Sequence, residues 1–100
     1  MVRMTALYRK PEDPEGFERA YFQEHLPLVR RLPGLERVEV ARQRRTLMGS
    51  EGPYLVCDMY FASVEAFKQA MSSPEGQAMA QDAQRFVDIL TVILSEVVEA

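Results

Sequence analysis

The stretch Tyr21–Leu35, YFQEHLPLVRRLPGL, holds the only histidine of the chain, His25, and a proline two residues later, Pro27. Histidine titrates near pH ~6.5, so one ring serves as acid, base or hydrogen-bond donor. On a core-facing helical stripe, with Tyr21 one turn earlier, His25 is partly desolvated and favours its neutral, basic form. The alternative is a buried histidine that does no more than satisfy a backbone carbonyl or a tyrosine. Pro27 lacks an N–H, so the Gln23 carbonyl loses its helical donor. A residue before proline avoids the helical region, which predicts a break with Leu26 at its boundary and His25 beside it. Such a break opens a pocket between helix and sheet, or simply bends the helix around the sheet.

The candidate partners of His25 are few. Asp58 is the one carboxylate inside a predicted core strand, and buried carboxylates are rare unless paired. It orients His25, bonds a tyrosine, or meets an arginine across a dimer; the sequence leaves all three open. The candidate catalytic set is therefore His25, Tyr21 and Asp58. Tyr8, Tyr60 and Pro27 are candidate ligand contacts, although tyrosines at such spacings also serve as plain packing. Arg42, Arg44 and Arg45 have no interleaved aromatics and read as a solvated loop.

Several chemistries lack their residues. One histidine and one cysteine make no zinc site. No phosphate-cradling glycine loop, dinucleotide fingerprint or nucleophile elbow is present. The expectation is a protein without metal or cofactor, whose catalysis, if any, is proton chemistry or the ligand's own reactivity with oxygen.

The elements that must position these residues follow from pattern. Val2–Arg9 is rich in strand formers, with Val2, Met4, Ala6 and Tyr8 on one face. Asp13 and Pro14 start a helix that runs to about Leu32, with Phe17, Tyr21, His25, Leu28 and Leu32 on one stripe. Pro33 and Gly34 end it. A second strand begins at Leu35, and a third covers Tyr54–Phe61. Ser63 caps a further helix, Ser73 restarts one with Pro74 at its first position, and residues 88–98 form a fourth strand. The order β-α-β-β-α-β matches an α+β, ferredoxin-like sandwich with a four-stranded antiparallel sheet and two helices on one face.

The third and fourth strands are apolar on both faces, whereas a sheet covered on one side alternates with polar residues. A second copy is the simplest cover, so a homodimer through the sheet face is expected, the two sheets forming a barrel-like body. A monomer whose second face is covered by apolar ligands or an extra helix is the alternative.

The 100 residues fit one domain, 1–100. The net charge of -3 gives no pull toward nucleic acid. No apolar run reaches the ~20 residues of a membrane span, and the N-terminal stretch has no secretory pattern. A single cysteine, Cys57, permits no intrachain disulfide. A cytoplasmic protein is expected.

Together, the first strand ending in Tyr8, the H-x-P at His25–Pro27, the LPGL at Leu32–Leu35 and the SPEGQA at Ser73–Ala78 resemble the EthD-like family. That family is named for a protein associated with ethyl tert-butyl ether degradation. The resemblance spans nearly the whole chain and implies a dimeric α+β barrel of ferredoxin-like subunits. It also implies an oxidoreductase or catabolic role. Relatives on the same barrel include cofactor-free monooxygenases, lactone isomerases and polyketide cyclases. His25 is the one residue that the resemblance carries over, without an assigned role. Two functions follow as expectations. One is an enzyme acting on a compact apolar or aromatic carbonyl compound. The other is a non-catalytic small-ligand or accessory protein in a catabolic pathway.

Overall fold

A computed structural model describes residues 1–100. Strand β1 (Val2–Tyr8) leads into helix α1 (Pro14–Ala20), a π turn (Tyr21–His25) and helix α2 (Leu26–Val29). Strands β2 (Leu35–Arg42) and β3 (Leu55–Phe61) follow. Helices α3 (Val64–Ser72) and α4 (Pro74–Ala83), a 3-10 turn (Gln84–Ile89) and strand β4 (Leu90–Glu96) complete the chain. The sheet order is β2-β3-β1-β4 and every pairing is antiparallel, which is the ferredoxin-like topology. No helix is long and apolar enough to cross a membrane.

The helix starts are chemical. Asp13, Ser63 and Ser73 each accept a hydrogen bond from the backbone N–H three residues on, at 3.1, 3.1 and 3.0 Å. A side-chain oxygen there satisfies one of the donors that a helix N-terminus leaves free. Gly34, at φ 77, turns the chain after α2 in a conformation that suits glycine.

The register sorts the sheet into two faces, because residues directly opposite one another point the same way. Met4 pairs with Met59 and Leu94, and Ala6 with Cys57 and Val92, all on the helix side. Val2, Met4, Ala6, Tyr8, Leu55, Cys57, Met59 and Phe61 are buried there beneath Phe17, Tyr21, Leu26 and Val29. Thr5, Asp58 and Ile93 share the outer face.

Four expectations need revision. The helix does not break before Pro27: Leu26 keeps helical angles, φ -57 and ψ -38, and its N–H bonds to the Tyr21 carbonyl. The chain absorbs the missing Pro27 donor by widening one turn instead of ending. The last strand spans Leu90–Glu96 rather than 88–98, because residues 84–89 tighten into a 3-10 turn. The outer face is not uniformly apolar either. At its centre the Thr5 hydroxyl donates to Asp58 at 2.5 Å, Arg3 lies 3.6 Å from the same carboxylate, and the Arg37 guanidinium sits 4.4 Å above the Tyr60 ring. The exposed apolar side chains concentrate on β4, where Val92 and Leu94 on the helix side are only half covered. Arg42, read as part of a solvated loop, is instead held by Glu18 through two hydrogen bonds of 3.0 and 2.7 Å.

Helices α3 and α4 meet at Gly76, where an added Cβ would stand 2.1 Å from the Ala70 carbonyl oxygen and 2.8 Å from the Met71 Cα. Backbone cannot move aside as a side chain does. Gly76→Ala should therefore lower stability by about 1–3 kcal/mol, the usual cost of overpacking. Urea unfolding would check this, and an unchanged midpoint would contradict the close approach.

Candidate active site

The π turn decides which side chains face the sheet. It carries Tyr21 and His25 at its two ends, and both are buried, at 0% and 3% exposure. Around them lies an aromatic cluster. Tyr8 packs 5.3 Å from both Phe17 and Tyr21, centroid to centroid, and Phe86 stands edge-on to His25 at 5.4 Å.

The His25 ring is anchored at Nδ1, 2.8 Å from Asp82 Oδ2 on α4. Asp82 in turn lies 3.1 Å from Arg85, and Arg85 reaches Glu24 at 3.2 Å. The residue just before His25 is thus tied to the carboxylate that holds His25. Burial lowers the His25 pKa, and it outweighs the opposing pull of Asp82. Burial alone would raise Asp82, but hydrogen bonds from His25 and Arg85 win and hold its carboxyl below the usual range. An ionised Asp82 accepts, so Nδ1 carries the proton of the neutral ring and Nε2 keeps its lone pair.

Beside His25 is a cavity of about 280 Å3 between the helices and the β1–β4 side of the sheet. Tyr8, Tyr21, His25, Cys57, Met59 and Met79 are among the side chains that line it. Apart from His25 and Gln84, the lining is aliphatic, aromatic or sulfur-bearing. The lining also includes the exposed residues Val87 and Val92, which open it to solvent. The Tyr21 hydroxyl is fully buried and has no hydrogen-bond partner. The Cys57 thiol is close enough to add to the rise in the Tyr21 pKa that burial causes, but no hydrogen bond of ordinary geometry joins the two. Burial likewise raises the Cys57 thiol, which is therefore a poor nucleophile.

Of the sequence candidates, the structure brings His25, Tyr21 and Tyr8 together at this cavity. Asp58 is not with them. Side chains alternate along β3, so the neighbours Cys57 and Met59 face the cavity while Asp58 faces Thr5 and Arg3 on the opposite side. Tyr60 falls on that outer side for the same reason, against Arg37. Pro27 does not line the cavity; its contribution is to the backbone that presents His25. Asp82 and Arg85 were missed. A signal was present, since Asp82 lies three residues after Met79 and four before Phe86, a carboxylate on an otherwise apolar stripe.

Comparison with known proteins agrees with this architecture. The EthD domain family matches residues 9–89. An EthD family protein from Bacillus halodurans is 40% identical, with a TM-score of 0.92 over 98% of this chain and 99% of that one. An uncharacterised 11.0 kDa protein from the thcB-thcC intergenic region of Rhodococcus erythropolis is 34% identical over 86 residues, covering 86% of this chain and 84% of the relative. SnoaB from Streptomyces nogalater, a cofactor-independent oxygenase, shares the fold at 19% identity, with a TM-score of 0.67 over 99% of this chain and 94% of that one.

Two outcomes follow from the buried pair and the unpartnered hydroxyl. An unsatisfied buried hydroxyl costs about 1–3 kcal/mol. Tyr21→Phe should therefore leave the empty protein as stable as the wild type or more so, as read by thermal unfolding; a clear loss would mean that the hydroxyl has a partner. His25 has a lowered folded pKa, so the unfolded chain takes up its proton first. Its contribution to stability is complete above the unfolded pKa of ~6.5 and is lost as pH falls through the folded pKa. Unfolding midpoints measured from pH 8 down to pH 5 should decline for the wild type, with the slope near neutrality absent in His25→Gln.

Proposed function

The chain belongs to the EthD family, and from that premise we propose a small cofactor-independent catalyst in which His25 is the general base toward a compact apolar or aromatic carbonyl compound. The observation that carries this reading is a buried histidine held by a carboxylate at the wall of an apolar cavity. Asp82 fixes the tautomer and balances the imidazolium that forms when Nε2 takes a proton. Tyr21 supplies a hydrogen bond to the oxygen on which negative charge develops, in surroundings that hold little water to compete. Tyr8 adds an aromatic wall.

Two outcomes of that proton transfer fit an oxidoreductase or an isomerase. The imidazolium returns the proton to another carbon of the same molecule, which completes an isomerisation. Alternatively, dioxygen is the oxidant: the carbanion's electron pair forms a C–O bond, and the imidazolium protonates the resulting peroxide. That SnoaB, a cofactor-independent oxygenase, has the same fold is compatible with the second course.

The active form in this reading is a homodimer joined through the outer sheet face. Ile93 is 45% exposed there, and Leu7 and Val56 share the same face. Arg3 and Asp58 pair with each other in the same patch, 3.6 Å apart, so its charges are balanced when the face is covered. A cytoplasmic setting suits the lone, buried Cys57.

His25→Gln should lower turnover of an enolisable aromatic ketone by about 10²–10⁴-fold, the usual worth of a general base, while circular dichroism stays that of the wild type. Unchanged turnover in a folded variant would remove His25 from the chemistry and favour a binding protein that catalyses nothing. Independently, Ile93→Arg should convert the dimer to a monomer in sedimentation equilibrium. A wild-type protein that sediments as a monomer would end the dimer reading.

A further inference from the structure

Few lining residues carry polar side-chain atoms: His25, the hydroxyl-bearing Tyr8 and Tyr21, and the exposed Gln84. His25 Nε2 has a lone pair to receive a hydrogen bond, because Nδ1 is committed to Asp82. The Tyr21 hydroxyl has a proton to give and no hydrogen-bond partner of ordinary geometry, its neighbour being the weakly accepting Cys57 thiol. No arginine or lysine lines the cavity, and the nearest carboxylate stands behind the imidazole rather than in the open space. The volume of about 280 Å3 equals roughly nine waters at ~30 Å3 each. That suits a molecule of one or two rings.

We infer that the cavity selects uncharged molecules bearing a weakly acidic hydroxyl, a phenol or the enol form of a carbonyl compound, and rejects the corresponding carboxylates. This deepens the base-catalyst reading by naming the ligand class, and it rests on the same site.

The argument is one of matching. A hydroxyl group donates one hydrogen bond and accepts others, so a single group answers both the Nε2 lone pair and the Tyr21 proton. A simple hydrocarbon fills the apolar volume but leaves Tyr21 as unsatisfied as in the empty protein. A carboxylate answers Tyr21 but presents lone pairs to the lone pair of Nε2. It must also shed its hydration in a space that offers no cation. Protonating His25 to accommodate it would place an imidazolium where burial disfavours one. A phenol of ordinary pKa ~10 lies about 3.5 units above free imidazole, and burial widens that gap by lowering His25 and raising a buried hydroxyl. The hydroxyl proton is nevertheless far easier to remove than the C–H of an unactivated ketone, and hydrogen bonding to Nε2 needs no transfer at all.

The test uses three molecules of nearly one shape: 1-naphthol, naphthalene and 1-naphthoate. His25 is the sole histidine, so its imidazole nitrogens give one unambiguous pair of NMR signals at neutral pH. Titration with 1-naphthol should move the Nε2 signal and bind about ten-fold or more tightly than naphthalene, while 1-naphthoate should leave the spectrum unchanged. Tyr21→Phe should weaken 1-naphthol about ten-fold and leave naphthalene as it was, which controls for the fold of the variant. Failure of 1-naphthol to bind, binding of 1-naphthoate as tight as that of 1-naphthol, or equal losses for 1-naphthol and naphthalene in Tyr21→Phe would each overturn the assignment. Turnover is not read, so binding of 1-naphthol without conversion of any such compound would retire the catalyst and leave the ligand class standing.

Discussion

The missing N–H of Pro27 is the constraint on which the site depends. A regular helix passing through that position would leave the Gln23 carbonyl without a donor. The chain answers with one wide turn, closed by the hydrogen bond from the Leu26 N–H to the Tyr21 carbonyl. π turns of this kind are rare and recur at functional sites because they re-aim side chains without ending the helix. Here the turn holds Tyr21 and His25 inward together, at the cost of a less favourable stretch of helix.

What makes that stretch tolerable is the packing around it. Phe17, Tyr8 and Phe86 meet at centroid distances of 5.3–5.6 Å, in the tilted and edge-on contacts that aromatic rings favour. The Glu24–Arg85–Asp82 chain adds a polar fastening from the π turn to α4. Its exposed parts are worth little by themselves, since surface ion pairs are screened. Their role is to fix the carboxylate that fixes His25.

The site is also a place where local stability is given up. A histidine kept neutral by burial and a hydroxyl left without an acceptor are both features that a core built for stability alone would not keep. Both residues line the same cavity, and in the proposed reading one hydroxyl-bearing ligand answers both. That convergence is the argument for a ligand site over a packing defect, because unrelated defects have no reason to share a complementary partner.

Much of this was open to inspection in the chain itself. Alternation and capping residues determine the strands, the helix starts and the order β-α-β-β-α-β, since these depend on neighbours within a few positions. His25 and Tyr21 could be placed on one inward stripe by the same local rule. Tyr60 and Asp58 could not be assigned a side, because alternation in β3 says which residues share a face but not which face meets the helices. Nor could the partner of His25 be chosen. Asp82 is 57 residues away, and only the packing of α4 against the π turn brings its carboxylate to 2.8 Å. The same holds for the response to Pro27. The sequence by itself determined that a backbone donor would be missing. Whether the helix broke or widened was decided in the tertiary structure, where burial of Tyr21 and His25 against the sheet favours keeping the helix continuous.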